Sequence, residues 1–474
     1  MGFFNFLLFP GADPFYHSDK EANEMEKRQN LSEMTRRDFL YLDGAGMTAL
    51  SLAGLSGIGH AQEKKLQEGE SMKIEKGYAK NFDLVGYHDL EGKPALKIAM
   101  QVVNNRWYLY LGHFWIKGWS IVDVTNPAKP EYIKFIPGPD NTSTAQVQVA
   151  DGIMITALSK GSEGFGTNPE GPFEEGIYIW DVKDPVNPKR LAHYKTGATG
   201  THRNHWEGGR YVHLTATARG YSGHICTILD IVDPSKPVEV GRWWLPDQWT
   251  AGGAKLTKAG IGLHGPAYPE GNRAYLGYGA AGMIILDISD ITLPKLVSRL
   301  EFHPPLGSRL ACHTVLPLLK RKLALVCSEA LEENCRESLN YAGIVDIADE
   351  KNPRLISLFP LPEPPPGAPY KNFCEKGGRF GPHNFHIPQR DPYREDRDDR
   401  VYLTYFNAGL RLYDIRDPYL PKEVACYLPP DPKKRLGVLP KTLVVQSEDV
   451  LVDRRGYSYV TDKNHGLHIL RCTV

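Results

Sequence analysis

Short apolar runs and turn residues alternate along this chain at a regular spacing. Six times a β-branched or aromatic run ends in Asp, and a Pro-containing turn follows. The segments are Ile121–Pro130, Ile179–Pro188, Leu229–Pro237, Leu286–Pro294, Val345–Pro353 and Tyr413–Pro421. Their aspartates, Asp123, Asp181, Asp230, Asp287, Asp346 and Asp414, stand 58, 49, 57, 59 and 68 residues apart. The runs are too short for amphipathic helices and are bounded by turn chemistry, so they read as strands. A period near 57 leaves room for about four strands and their loops in each unit. Asp and Asn accept hydrogen bonds from their own backbone, and Pro withholds a donor at a strand boundary. The repeated Asp–Pro tracts are therefore expected to build turns rather than carry catalysis.

A seventh copy closes the chain. Gly466–Arg471 matches Gly282–Asp287, with Arg471 in the aspartate's place, 57 residues after Asp414. The strand that should follow is missing there, but Asn81–Tyr87 reads like the post-turn strand Leu296–Phe302. The expected fold is all-β, a seven-bladed β-propeller over residues 81–474 closed by strands from both termini. Closure removes the exposed sheet edges that an open circle would present. The tract Leu-Asp-Ile-x-Asp-x-x-x-Pro resembles the repeat of LVIVD-repeat proteins, which implies a secreted or exported propeller.

Residues 1–61 differ in character, and 62–80 read as a linker. Arg36 and Arg37 precede a Gly- and Ala-rich apolar run from Met47 to Gly59, and Gly59-His60-Ala61 offers small residues for cleavage. This resembles a twin-arginine signal, the address for exporting a folded protein, with Met25 or Met34 as alternative starts. It implies a periplasmic or secreted protein and the twin-arginine export machinery as a partner. The apolar run is too short and Gly-interrupted to span a bilayer, and no span is expected in the mature chain. The whole chain carries 56 basic and 56 acidic side chains. Without residues 1–61, which hold 5 and 8, the balance is 51 against 48, or +3. Nothing in that balance points to nucleic acid. Seven cysteines leave at least one thiol unpaired, and Cys327 and Cys335 could close a small loop.

Aligning the units shows where chemistry collects. Four consecutive units place His202, His264, His313 and His383 at the start of the innermost strand, ahead of strands beginning near Tyr211, Ala274, Leu323 and Val401. Gln101, Gln146 and Glu448 fall at about that level in the other units. Inner strands of a propeller converge on its axis, and neutral imidazoles there suit copper, iron or zinc. In the His-x-x-His pairs His202/His205 and His383/His386, strand geometry sends residues i and i+3 to opposite faces. His202 and His383 are thus expected at the axis, with His205 and His386 nearby. Glu207 and Glu448 are candidates for hydrogen bonding to ligating histidines. Cys312, next to His313, should point away from the channel. His303 and His465 read as loop residues, and Arg390–Arg400 as a solvated hairpin tip. Two long inserts, residues 159–171 and 361–381, are expected over the channel mouth.

The inward histidines are similar to those of the selenium-binding protein family, which includes a periplasmic copper-dependent methanethiol oxidase. They also resemble the four-histidine iron site of carotenoid-cleaving dioxygenases. No nucleophile elbow, phosphate loop, dinucleotide fingerprint or HExxH is present. The leading expectation is an exported metalloenzyme in which His202, His264, His313 and His383 hold copper, iron or zinc and Glu448 assists. The resemblance implies oxidation of a small organic or sulfur substrate. Two alternatives stand beside it: a non-catalytic binding propeller, and a lyase or hydrolase using the channel histidines as acid and base.

Overall fold

A computed structural model describes residues 77–302 and 310–474 of the chain. The export signal expected over residues 1–61 and the loop residue His303 lie outside the described residues. Seven antiparallel sheets form the blades of the propeller. Blade 1 runs through Ala95–Val103, Arg106–His113, Gly118–Asp123 and Glu131–Pro137, in that order from the axis outward. Blades 2 to 7 follow at residues 142–194, 211–243, 267–300, 314–358, 400–428 and 447–472. In blades 3 and 6 the segment nearest the axis joins by single bridges, Thr201 to Ala216, His205 to His213 and Phe385 to Leu403.

The repeated aspartates make the turns the sequence predicts. Each Oδ1 accepts the N–H two residues on, from Thr125, Lys183, Val232, Ser289, Ala348 and Arg416, at 2.8–2.9 Å. Three residues further the motif repeats at Asn126, Asp184, Asp233, Asp290, Asp349 and Asp417. These Asx turns replace backbone ladder bonds at the corner between strands three and four. A β-bulge sits one or two residues before each of these six aspartates, for example between Ile121 and Val122 and between Ile285 and Leu286. Bulges add twist, which each blade needs as it fans from the axis.

The apolar runs are continuous because both faces of a blade are covered. One apolar cluster fills each of the seven blade interfaces. The cluster between blades 7 and 1, for instance, joins Leu109, Leu111 and Val122 to Leu451, Tyr459 and Ile469. Polar residues are left for the axis.

Phe82–His88 supplies the outer strand of blade 7, pairing antiparallel from Phe82 against Cys472 to His88 against Leu467. Tyr78–Lys80, in the segment read as linker, adds an outer strand to blade 6 along Cys426–Leu428.

Two expectations need correction. The disulfide joins Cys335 to Cys374, not to Cys327. Cys327 ends the strand Leu323–Cys327, and its buried thiol faces the His383 carbonyl inside the blade 5–6 interface. Arg390–Arg400 is not simply a solvated tip. Arg394 is buried, its Nε bonds Asp391 Oδ2 and its Nη1 the Ile387 carbonyl, and the preceding Gln389 bonds Gln148 and the Trp206 carbonyl. The segment folds inward because the Gln389 amide finds partners from blades 2 and 3, while Arg394 is held from within the loop itself.

A chain beginning at residue 89 would leave Leu467–Cys472 as an open edge and uncover the cluster around Phe82. Its expected cost is at least about 3 kcal/mol from the lost burial, with edge-to-edge association. Calorimetry should show a lower, broader transition, and size-exclusion chromatography should show oligomers.

Candidate metal centre

Four histidines occupy one equivalent position in four neighbouring blades. In each, the backbone N–H donates to a carbonyl near the end of the adjacent strand: His202 to Thr215, His264 to Gly277, His313 to Cys327 and His383 to Thr404, at 2.7–3.0 Å. The blades approach so closely here that a Cβ on Gly265 would lie 2.0 Å from the His313 carbonyl oxygen. Consecutive imidazole centroids are consequently 4.8, 4.9 and 5.1 Å apart from His202 through His264 and His313 to His383. His264, His313 and His383 are buried. A fifth ring, His224, stacks 6.0 Å from His202.

Glu329, which sequence reasoning missed, reaches into this arc from the loop after Leu323–Cys327. Its carboxylate lies 3.3 Å from His264 Nε2, 3.4 Å from His313 Nε2 and 3.9 Å from His383 Nε2. Arg379, from the long insert before His383, donates to Glu329 Oε1 at 2.9 Å and to the Ala330 carbonyl. Burial alone would raise the Glu329 pKa, but the His264 hydrogen bond, the neighbouring His313 and His383 and the Arg379 guanidinium hold it well below the usual range. His264, His313 and Glu329 bring their ligand atoms within 4.8 Å of one another and could hold a metal ion.

Glu448 supports the arc from blade 7. His383 Nδ1 donates to the Glu448 carbonyl at 2.8 Å, and Glu448 Oε2 is 3.2 Å from the same nitrogen. A carbonyl can only accept, so Nδ1 carries a proton, and Nε2 is the ring nitrogen on the Glu329 side. Burial pushes the Glu448 carboxyl up, yet Lys463 at 3.0 Å, His383 and Arg379 bring it down to about 2. Phe406 takes the left-handed φ of 42°, unusual for an aromatic residue. Its ring lies between the His383 imidazole, centroids 4.6 Å apart, and the Arg379 guanidinium, 4.0 Å from its centroid.

The other predicted residues divide. Gln146 lines the axial cavity with His202, His264, His383, Glu329 and Glu448. Gln101 does not: it donates to the Val182 carbonyl between blades 1 and 2. Ala95–Val103 is the longest strand of the ring, and its axial end is Leu96 and Lys97, about 13 Å of extended chain before Gln101. His205 pairs with Glu207 at 3.5 Å, and His386 is held by the Glu395 carbonyl and the Val452 N–H. These three side chains line a separate cavity of about 300 Å³. Glu207 therefore orients His205, not a histidine of the arc. Cys312 is buried in the blade 4–5 core, where burial raises its thiol pKa well above the ordinary value. His465 sits in a loop with Nε2 on the Pro430 carbonyl.

Above the arc, the insert beginning at Ser159 contributes Ser159–Ser162 and Phe165 to a cavity of about 50 Å³. Phe165 stacks on Phe114 at 5.4 Å, and Lys117 Nζ ties the carbonyls of Phe114 and Phe165 together. The second insert delivers Arg379, and the Cys335–Cys374 bond links it to the loop that follows Glu329.

Arg203 complicates metal binding. Its Nη1 lies 2.8 and 2.6 Å from the two ring nitrogens of His313 and 3.1 Å from Thr314 Oγ1. A guanidinium and a metal ion compete for the same imidazole lone pair.

Burial makes the histidines an acid-sensitive element. Desolvation lowers His113 to about 4, and His213, His224, His386 and His468 to about 3. These folded values lie below the unfolded 6.5, so the unfolded chain takes up protons the fold refuses. The stabilisation is complete above pH 6.5 and is lost as pH falls towards 3–4, by up to about 1.4 kcal/mol per pH unit per histidine. Urea midpoints should be flat from pH 7 to 8 and drop steeply from pH 6 to 5. H224Q/H468Q should flatten that drop.

Residues 99–134, 226–244 and 270–301 match the LVIVD repeat. No curated protein sequence matches the chain significantly. Among solved structures, the computationally designed protein Ika8 is 8% identical, with 81% of this chain and 98% of that one covered and a TM-score of 0.43. A functionally unknown protein from Desulfotomaculum acetoxidans is 11% identical, covering 70% and 89%, with a TM-score of 0.42. A hypothetical selenium-binding protein from Sulfolobus tokodaii is 15% identical, covering 81% and 72%, with a TM-score of 0.36. The chain thus carries LVIVD repeats and folds as a seven-blade β-propeller.

Proposed function

We propose that the axial residues hold one transition-metal ion, copper or iron before zinc, and that the protein is an exported oxidoreductase acting on a small organic or sulfur compound. The observation that carries this reading is the convergence of His264, His313 and Glu329 within 4.8 Å, with His202 and His383 on either side. Neutral imidazoles joined by one ionised carboxylate are the donor set of first-row transition metals. Bound there, the metal would supply redox or Lewis-acid chemistry.

The chain's own residues prepare the site. Glu448 fixes the His383 tautomer, and Arg379 keeps Glu329 ionised and aimed at the arc. Phe114 and Phe165 form an apolar part of the cavity wall. A space of about 50 Å³ suits a small substrate, and a larger one requires the 159–165 loop to move. The sulfur chemistry rests on the resemblance to the selenium-binding family.

Elemental analysis and EPR of the purified protein are expected to show about one copper or iron per chain. H264A and H313A should lose it, and E329Q should weaken it about 10- to 100-fold, the range typical of lost metal-site partners. A metal-free protein whose activity and stability ignore chelators would overturn the reading. The contact between Arg203 and His313 favours a second reading, metal-free acid–base catalysis by a lyase or hydrolase. R203M separates the two: tighter metal binding under the first, loss of a metal-independent activity under the second.

Export rests on Arg36 and Arg37. Cell fractionation should find the wild type outside the cytoplasm and R36K/R37K retained within it; equal distribution would refute export by this route.

A further inference from the structure

A second cavity, of about 20 Å³, shares Arg203 and Gln146 with the metal-site cavity. It has room for about one water-sized occupant. Its walls carry three buried cations, Lys97, Arg203 and Arg394.

Their counter-charges fall short. Lys97 is matched by Asp449, 3.0 Å away, and Asp391 takes the Nε of Arg394 at 3.2 Å. Arg203 has no carboxylate partner among the described residues, and its guanidinium donates to His313, Thr314 and Asn384. Two donors also remain unmatched. Arg394 Nη2 and Tyr268 Oη are buried without a hydrogen-bond partner, in residues only 7% and 3% exposed. Both residues line the cavity. A buried cation without a counter-charge is costly, as is a buried donor without an acceptor.

We propose that this cavity binds a monatomic inorganic anion of chloride size, held by Arg394 Nη2 and Tyr268 Oη and balancing the charge of Arg203. A water molecule would satisfy the donors but leave the charge uncompensated. Sulfate and phosphate exceed the space. Burial already lowers the pKa of both Lys97 and Arg394, as expected where cations crowd in a dry site.

Bromide is the probe, because it replaces chloride and scatters anomalously. Crystals of the full chain grown in sodium bromide are expected to show an anomalous peak within hydrogen-bond distance of Arg394 Nη2 and Tyr268 Oη. In solution, chloride in place of gluconate at constant ionic strength should raise the melting temperature of the wild type by a few degrees. R394Q should lose that response, and Y268F, the milder change, should lose most of it while still folding. Absence of a bromide peak in the wild type would overturn the proposal. So would a chloride response of equal size in Y268F, which would mark it as a general salt effect.

Discussion

The arrangement on the axis depends on the ring being closed. Phe82–His88 pairs with the last strand of the chain and completes blade 7, so seven sheets must share one turn about the axis. That constraint sets how near neighbouring inner strands come. Where they are nearest, the glycines at 265 and 277 admit the His313 carbonyl, and no side chain larger than hydrogen fits. The four histidines are then spaced by the fold, each pinned by its own N–H to the adjacent strand. Imidazole spacing of about 5 Å follows from blade packing, with no dedicated loop to build it.

Dehydration of this core separates its charges by type. Burial disfavours every ionised form, and the imidazoles of His202, His264 and His313 respond by staying neutral. Glu329 and Glu448 do not follow, because guanidinium, ammonium and imidazole donors around them outweigh the desolvation. The outcome is neutral nitrogen donors beside ionised oxygen donors in one small volume. That combination suits a metal ion, because histidines and carboxylates bind metals in their deprotonated forms.

Much of this was legible in the sequence, for identifiable reasons. The turn aspartates recur with the period of the fold, so a single alignment of units fixed blade number and closure. The same alignment brought His202, His264, His313 and His383 to one level, because the fold itself repeats there. Glu329 has no such echo. Its equivalents two residues past the neighbouring strands are Gly279 and Phe406, so no periodic signal marks it. Arg203 escaped for a different reason. Alternation along a strand would turn it away from His202's side, but residues 201–205 touch the sheet only through single bridges, and strict alternation fails. Gln101 was misplaced because blade 1 reaches the axis earlier in its strand than the histidine blades do. The partner of Cys335 lies 39 residues away in an insert, beyond any inference from spacing.

Arg203 ties the two axial cavities into one electrostatic unit. It stands between the histidine arc, where a cation is proposed, and the lower cavity, where an anion is proposed. A metal ion near His313 and the guanidinium repel each other strongly at such low local dielectric. An anion on the guanidinium's other side draws Arg203 away from His313 and offsets that repulsion. Because binding linkage is reciprocal, each occupant then raises the affinity of the other by the same factor. If both proposals hold, Arg203, which on its own would argue against a metal at this position, would be the residue through which a small anion affects how readily the metal is held.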